Sequence, residues 1–167
     1  MSSRSKILDI KQVNQKLNRL AWEIYEDNFY ENEIVIVGVS ERGLILAKKL
    51  TKLIKTISNI DTTIGGLNLD KDNPYDKEVE FNLSQNQYIN KVVIIVDDVL
   101  NSGKTLMYAS KHFLNTPLKR LSIMVLVDRN HNTYPIKADY TGLTLATTLK
   151  EYINVVLKGD DKGVYLF

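Results

Sequence analysis

The chain contains no cysteine and only two histidines, His112 and His131. Without cysteine it can form neither disulfide bonds nor thiolate metal sites, and two imidazoles do not favour a histidine-rich metal centre. The lack of cysteine is also typical of proteins that work in a reducing cytoplasm.

Long apolar runs are missing as well. No stretch approaches the roughly 20 apolar residues that cross a bilayer, and the start of the chain, MSSRSKILDIKQ, lacks the apolar core of a signal peptide. Charge is nearly balanced, with 22 Lys and Arg against 20 Asp and Glu, so no overall field draws the protein to nucleic acid or anionic lipid. We expect a soluble cytoplasmic protein with no membrane partner, in which any polyanion is recognised locally.

The apolar segments that are present are short and continuous. Three of them are IVIVGVS (34–40), VVIIVDDV (92–99) and LSIMVLVD (121–128), all rich in β-branched residues. Continuous rather than alternating apolar strands are typical of a parallel sheet that is covered on both faces, so the pattern predicts an α/β fold with three layers. The length of 167 residues predicts a single domain, 1–167.

Helical periodicity separates these strands. Asp9 followed by Gln12 resembles a capping box, and the apolar spacing after it predicts an amphipathic helix over 10–29. Strand–loop–helix units are predicted to begin at residue 34 and to span 91–115. Residues 60–69 are a further candidate strand, and the polar segment 70–87 predicts a hairpin or a mobile loop.

Two adjacent carboxylates, Asp97 and Asp98, end the central strand. Ligands of open parallel sheets bind beyond the carboxyl ends of the strands, and a helix begins just after this point. Free backbone N–H groups and the positive end of the helix dipole can hold a phosphate there, and the carboxylates can accept hydrogen bonds from the vicinal hydroxyls of a ribose 5-phosphate. The loop that would bind the phosphate consists of Asn101, Ser102, Gly103, Lys104 and Thr105.

Other interpretations of this loop are weaker. A Walker nucleotide-binding loop needs a glycine where Asp98 stands, and its charged side chain would obstruct the phosphate-binding turn. A merely solvated turn before a well-capped helix is possible, but the strand before it and the helix after it both favour a site. The second loop, GVSERG (38–43), is not a specific motif by itself. Its expected position at the same edge of the sheet supports a role in the same site.

A strand ending in VDDV and followed by NSGKT resembles the 5-phosphoribosyl pyrophosphate (PRPP) signature of type I phosphoribosyltransferases. The resemblance implies their three-layer fold, with a small hood and a mobile hairpin loop over 70–90. It also implies catalytic roles for Asp97, Asp98 and Arg42, and a strained cis peptide between Ser40 and Glu41. The pyrophosphate would be bound by Ser40, Glu41, Arg42, Gly43 and Lys71.

Residues 126–142, LVDRNHNTYPIKADYTG, resemble more narrowly the bifunctional pyrimidine-operon attenuation regulators and uracil phosphoribosyltransferases. The resemblance implies a base pocket at Val127, Asp128 and Arg129. From the residues alone, Asp128 and Arg129 could equally form a structural ion pair, and His131 could be a surface residue. Asn101 stands where related purine enzymes usually carry an aspartate, and because it is neither acid nor base, uracil is favoured over a 6-oxopurine.

The implied reaction transfers the phosphoribosyl group from PRPP to a nucleobase, with Mg²⁺ bound through PRPP and without direct ligation by protein. The resemblance also implies a homodimer. Two departures leave alternatives open: the 70–90 loop is short and offers Lys71 where an arginine is expected, so a non-catalytic PRPP-sensing domain is possible. RNA is a possible but less supported partner, because Asn14, Trp22, Asn132 and Leu143 replace expected basic residues or a histidine while Arg19 and Lys137 remain. A purine (hypoxanthine or guanine) phosphoribosyltransferase is the second alternative.

Overall fold

The structure is a computed structural model that describes residues 4–167. The first half of the chain forms β1 (Ser5–Asp9), α1 (Ile10–Asn28), β2 (Glu33–Val39), α2 (Ser40–Ile57), β3 (Asp61–Asn68) and β4 (Glu80–Phe81). After a short 3₁₀ turn (Gln85–Gln87), the second half forms β5 (Val92–Leu100), α3 (Lys104–Phe113), β6 (Arg120–Asp128), β7 (Tyr140–Thr144), β8 (Ile153–Val156) and β9 (Gly163–Leu166). None of the helices in residues 4–167 could span a lipid bilayer.

The main sheet has six strands in the order β4-β3-β2-β5-β6-β7. All neighbours pair in parallel except β4, which returns antiparallel along β3 and so makes the predicted hairpin. Alternate residues of β2 point to opposite faces: Ile34 and Ile36 pack with α1 and α2, whereas Val35 and Val37 pack with α3. Both faces are therefore buried, and the predicted three-layer α/β fold is confirmed.

A second, antiparallel sheet joins the two ends of the described chain in the order β1-β9-β8. It is the small hood that the family resemblance implied. Its strands of four or five residues carry too few apolar positions to form a core alone. Leu8, Val155 and Val164 instead bury their side chains in the same cluster as α1 and α2.

The capping box at the start of α1 is present as predicted. The Asp9 carboxylate accepts from the Gln12 N–H at 2.8 Å, and the Gln12 side chain accepts from the Asp9 N–H at 2.9 Å. A cap of this kind stabilises a helix by about 1 kcal/mol. The helix ends at Asn28, one residue earlier than the sequence pattern predicts, where the Asn28 amide donates to the Ile24 carbonyl.

Two glycines set how closely α2 approaches the sheet. A Cβ on Gly38 would lie 2.3 Å from the Leu44 Cα, and one on Gly43 would lie 2.4 Å from the Val96 carbonyl oxygen. Any side chain at either position would push the first turn of α2 away from β2 and β5. The glycines thus hold the start of α2, and with it Arg42, beside the end of β5.

Candidate active site

A pocket of about 150 Å³ lies at the carboxyl end of β5. It is closed on one side by the loop that leads into α3 and on the other by the start of α2 and the hairpin segment after β3. This is the edge of the sheet where ligands of parallel α/β folds bind. The pocket is lined by Arg42, Lys71, Asp97, Asp98, Val99, Leu100, Asn101, Ser102, Gly103, Lys104, Thr105, Leu106 and Ile153.

The acidic pair forms the floor of this pocket. Asp97 is 1% exposed and Asp98 4%, although neither is neutralised by a fully buried cation. Asp97 accepts a hydrogen bond from the Asp98 N–H at 2.9 Å. Burial, and then the negative charge of Asp98, raise the pKa of Asp97 well above its ordinary value. Burying two adjacent carboxylates lowers the stability of the fold. A fold that retains them provides hydrogen-bond acceptors for a ligand that carries hydroxyl donors.

Two cations approach the acidic pair, one from the first turn of α2 and one from the segment between β3 and β4. The Arg42 guanidinium donates to Asp98 at 3.2 Å, and the Lys71 ammonium lies 3.5 Å from Asp97 and 4.0 Å from Asp98. Both cations remain about half exposed, so they can turn toward a ligand while the carboxylates stay fixed. Lys71 belongs to the segment between β3 and β4, which therefore contributes directly to the pocket.

The loop before α3 has the geometry of an anion site. Gly103 is the N-cap residue of α3, with a left-handed φ of +85° and no side chain of its own to cap the helix. The Ser102 Oγ accepts from the Lys104 N–H at 3.3 Å, and the next N–H groups, of Thr105 and Leu106, belong to residues that line the pocket. The Ser102 carbonyl is anchored by the N–H groups of Thr133 and Tyr134 at 2.9 and 3.0 Å. The Lys104 ammonium donates to the Asp72 carbonyl at 2.6 Å, so its side chain also holds the hairpin segment.

The loop before α2 differs from the sequence-based prediction in one respect. No peptide bond in residues 4–167 is cis, so the expected cis bond between Ser40 and Glu41 is wrong. The chain instead turns through Ser40 at a φ of +55°, a left-handed conformation that a serine adopts only with strain. This turn is sufficient to start α2 directly at the end of β2, where Val39 provides no side-chain cap. Because the Glu41 carboxylate pairs with Lys158, Glu41 can contribute to the site only through its backbone.

The three residues predicted for the base pocket occupy different environments. Val127 is fully buried in the core on the α1 and α2 side. The Asp128 carboxylate accepts from the Asn130 N–H at 2.7 Å, while the Arg129 guanidinium contacts Asn101 and the segment after β7. The alternative of an ion pair between Asp128 and Arg129 is therefore wrong. Asp128 lines a neighbouring pocket with Asn130, Asn132, Tyr134, Pro135, Ile136 and Lys137.

Four lining residues were not among the predicted site residues: Val99, Leu100 and Leu106, which are neighbours in sequence of predicted ones, and Ile153. Ile153 begins β8 of the hood, far along the chain from the other lining residues, and comes to the pocket because the hood contacts β5. A single isoleucine in a four-residue strand carries no local signal of such a role. It adds an apolar side chain from the hood to the pocket lining.

The donor set of the pocket fits a cation that arrives with its ligand. Within residues 4–167 no three His, Asp or Glu side chains cluster closely enough to enclose a metal ion. The carboxylate oxygens of Asp97 and Asp98 are nevertheless the hard ligands that Mg²⁺ prefers, and Mg²⁺ is commonly held by one or two carboxylates together with substrate phosphates. The residues present therefore fit a phosphate-borne Mg²⁺.

Comparison with known proteins agrees with this arrangement. Residues 3–158 match the phosphoribosyl transferase domain family. Bifunctional protein PyrR of Pediococcus pentosaceus is 33% identical over 171 residues, covering 96% of each chain, and its namesake in Clostridium beijerinckii is 35% identical over 168 residues, covering 96% of this chain and 94% of the relative. A hypoxanthine-guanine phosphoribosyltransferase from Bacillus anthracis has a TM-score of 0.71 and 26% identity, covering 84% of this chain and 81% of its own.

Proposed function

The chain belongs to the phosphoribosyl transferase domain family, and from that premise we propose that it transfers the 5-phosphoribosyl group of PRPP to uracil and releases pyrophosphate. The observation that carries the proposal is the buried acidic pair beside the glycine-capped start of α3, with two half-exposed cations directed at it. We propose that residues 1–167 act as one catalytic domain.

The acidic pair and the start of α3 would bind different parts of the substrate. The backbone N–H groups of the first turn of α3, together with the hydroxyls of Ser102 and Thr105, bind the 5′-phosphate. Asp97 and Asp98 accept hydrogen bonds from the two ribose hydroxyls, which orients the sugar with C1′ toward Arg42 and the hood. The depth of the carboxylates makes this contact specific, because a ligand without two donors would leave them unsatisfied.

The chemical step is a displacement at C1′. A ring nitrogen of the base forms the new bond to C1′ as the bond to the pyrophosphate oxygen breaks, with inversion and an oxocarbenium-like transition state. The hydrogen on that nitrogen leaves as a proton, taken up by the released pyrophosphate or by solvent. Arg42 and Lys71 offset the charge that grows on the pyrophosphate, and the carboxylates stabilise the positive charge on the sugar. Because no covalent nucleophile is needed, positioning and electrostatics supply the rate enhancement.

Mg²⁺ would arrive with PRPP and rest near Asp97 and Asp98. When bound, it supplies Lewis-acid neutralisation of the phosphate oxygens. The segment 70–90 contributes Lys71 to the pocket and is joined to the start of α3 by the bond from Lys104 to the Asp72 carbonyl. Its closure over bound PRPP would limit the access of water that hydrolyses the sugar.

Uracil is our first choice of base for two reasons. The relatives that match over nearly the whole chain are bifunctional PyrR proteins, and Asn101 cannot exchange a proton with a purine ring. The structural resemblance to a hypoxanthine-guanine enzyme keeps a purine as the second substrate class to test. Protein, Mg²⁺ and PRPP should be incubated with each nucleobase and the products identified by mass. UMP with stoichiometric pyrophosphate supports the proposal, and PRPP binding without any nucleotide would instead favour a sensing domain.

RNA binding is the other activity implied by the resemblance of residues 126–142 to pyrimidine-operon attenuation regulators. Of the two basic residues left at the expected surface, Arg19 donates to the carbonyls of Thr141 and Gly142, at 3.0 and 2.7 Å, and pairs with Glu23. Its guanidinium is thus largely engaged within the protein, which leaves Lys137 as the freer cation. We propose that catalysis, not RNA recognition, is the main activity of this chain.

We also propose a cytoplasmic homodimer. Trp22 on α1 is 47% exposed, and Phe29 and Tyr30 after the helix are 53% and 85% exposed. Large apolar side chains grouped at one helix end are typical of a surface that pairs with a second subunit. Light scattering on the wild type and on Trp22→Ala tests this, since the variant should shift toward monomer.

A further inference from the structure

We infer that Arg129 is a positioning residue that fixes the orientation of the Asn101 side-chain amide, and that this orientation selects a base presenting an acceptor next to the reacting nitrogen. The inference rests on the proposed function and deepens it. The two residues follow directly after a pair of adjacent strands. Leu100 of β5 pairs with Asp128 of β6, and the Arg129 N–H donates to the Leu100 carbonyl at 3.0 Å.

The Arg129 guanidinium is held by four hydrogen bonds. Nη1 donates to the Asn101 Oδ1 at 2.9 Å and Nε donates to the Thr147 Oγ1 at 2.9 Å. Nη2 donates to the carbonyls of Thr148 and Glu151 at 3.2 and 2.6 Å. A planar group with this many acceptors around it has a single allowed orientation. The guanidinium therefore joins Asn101 to the segment 147–151, which leads into β8 and so to the pocket residue Ile153.

The chemistry of arginine decides which end of the amide faces it. A guanidinium carries five N–H donors and no acceptor, so the Asn101 oxygen must face Arg129 and the Nδ2 hydrogens must point away. Within residues 4–167 that Nδ2 group has no hydrogen-bond acceptor, and Asn101 lines the pocket that contains the acidic pair. Arg129 thus presents the amide to a ligand as a donor only.

Position indicates which part of the ligand meets this donor. Asn101 lines the pocket with Asp97, and its partner Arg129 directly follows Asp128, which lines the neighbouring pocket into which the base would extend from C1′. The carbonyl oxygen adjacent to N1 of uracil can accept from Nδ2. A 6-oxopurine that reacts at N9 carries its hydrogen on N7, so two donors would face each other. The same amide therefore favours uracil and disfavours the purine.

Three variants test the inference: Arg129→Gln, Asn101→Asp, and the control Lys150→Gln, which removes a positive charge from an exposed position in the same segment. Arg129→Gln should raise KM for uracil about tenfold while KM for PRPP changes less than about twofold, the effect of one misplaced hydrogen bond. Asn101→Asp keeps an oxygen toward Arg129 and turns the pocket-facing donor into an acceptor, so the ratio of IMP to UMP formed should rise about tenfold. Lys150→Gln should match the wild type in both measurements.

Hydrogen–deuterium exchange supplies a readout that needs no turnover. The amides of 147–153 should exchange faster in Arg129→Gln than in the wild type or in Lys150→Gln, while thermal melting confirms that all the variants fold. If the wild type makes nucleotide but Arg129→Gln leaves KM for uracil, the product ratio and exchange unchanged, the inference fails and the proposed function stands. If the wild type makes no nucleotide, the proposed function fails. The positioning role would then be supported by faster exchange in Arg129→Gln and refuted by unchanged exchange.

Discussion

The ammonium of Lys71 lies 3.5 Å from a carboxylate oxygen of Asp97, across the mouth of the pocket. The lysine comes from the hairpin segment after β3, and the aspartate is fixed near the end of β5. In the proposed reaction this contact is replaced when PRPP enters: the ribose hydroxyls take over the carboxylates, and Lys71 turns to the pyrophosphate. The segment 70–90 thus contacts the acidic pair through Lys71.

Replacing Lys71 should therefore act on catalysis more than on folding. Lys71→Ala is expected to lower kcat about 100-fold, the usual effect of removing one charge-stabilising contact in a transition state. Lys71→Arg should raise kcat/KM for PRPP above that of the wild type, because a guanidinium can bind pyrophosphate with two parallel hydrogen bonds. Steady-state kinetics measure both, with Lys77→Ala, an exposed lysine in the same segment, as the control. Equal rates for Lys71→Ala and Lys77→Ala would remove Lys71 from the mechanism.

Asp97→Asn should stabilise the protein while abolishing transfer. Burial and the charge of Asp98 raise the pKa of Asp97 above its ordinary value of 3.8, so the folded protein must take up a proton or bear a buried charge. The cost is absent below about pH 4, where the carboxyl is neutral in both states, and grows as the pH rises toward the folded pKa. The melting temperature of Asp97→Asn should exceed that of the wild type by a few degrees at pH 8, since about 1 kcal/mol corresponds to about 2–4 °C in a chain of this size.

Melting curves recorded between pH 4 and pH 8 should show this difference increasing with pH. Asp139→Asn is a suitable control. The Asp139 carboxylate accepts from the Ile123 N–H away from the pocket, so this substitution should destabilise the protein. A melting temperature of Asp97→Asn that stayed below the wild type at pH 8 would mean that Asp97 has a structural role instead.

Gly103→Ala should disturb the loop before α3 by more than the backbone strain of an alanine with positive φ. The residue has a φ of +85°, and an added Cβ would lie 2.5 Å from the Ile136 Cγ2. Gly159 has a similar φ of +79° but nothing within 4 Å of its Cβ position, so Gly159→Ala isolates the strain alone, about 1–2 kcal/mol. Urea unfolding and KM for PRPP separate the two effects. Only Gly103→Ala should raise KM, and an equal rise in Gly159→Ala would contradict a local effect on phosphate binding.

RNA affinity should be low and strongly dependent on salt. Arg19 is engaged by backbone carbonyls and Glu23, so a structured leader RNA should bind no more tightly than about 10⁻⁶ M at physiological salt, as expected for non-specific contacts. Filter binding with a matched scrambled RNA checks this. Nanomolar binding to the structured RNA but not to the scrambled one would mean that RNA recognition, rather than catalysis, is the main activity.

The sequence was sufficient for the parts of the fold with strong local signals. The capping box at Asp9, the apolar runs of β2, β5 and β6 and the hairpin after β3 all lie where their patterns predict. The hood strands β1, β8 and β9 were not predicted individually, because segments of four or five residues show no clear period and are stabilised by the core they cover. The hood itself was expected only from the family resemblance.

The site residues could be predicted where those that act together are adjacent in the sequence. Asp97 and Asp98 lie near the end of their strand, and Arg42 and Lys71 reach them from two other segments, as the sequence interpretation requires. The bonds of Arg129 could not be foreseen, since three of its four acceptors lie in the segment 147–151, two of them backbone carbonyls that any residue can provide. The turn at Ser40 shows the limit of inference from a family, because the chain leaves β2 through a left-handed residue where the resemblance implied a cis bond.

We propose that the acidic pair holds the ribose of PRPP beside the first turn of α3. Isothermal titration of PRPP with Mg²⁺ into the wild type and into the double variant Asp97→Asn with Asp98→Asn tests this contact. We expect clear binding to the wild type and an affinity at least about tenfold weaker in a double variant that still melts cooperatively, since two charge-assisted hydrogen bonds are lost. Equal affinities for the wild type and the double variant would show that the acidic pair does not hold the ribose.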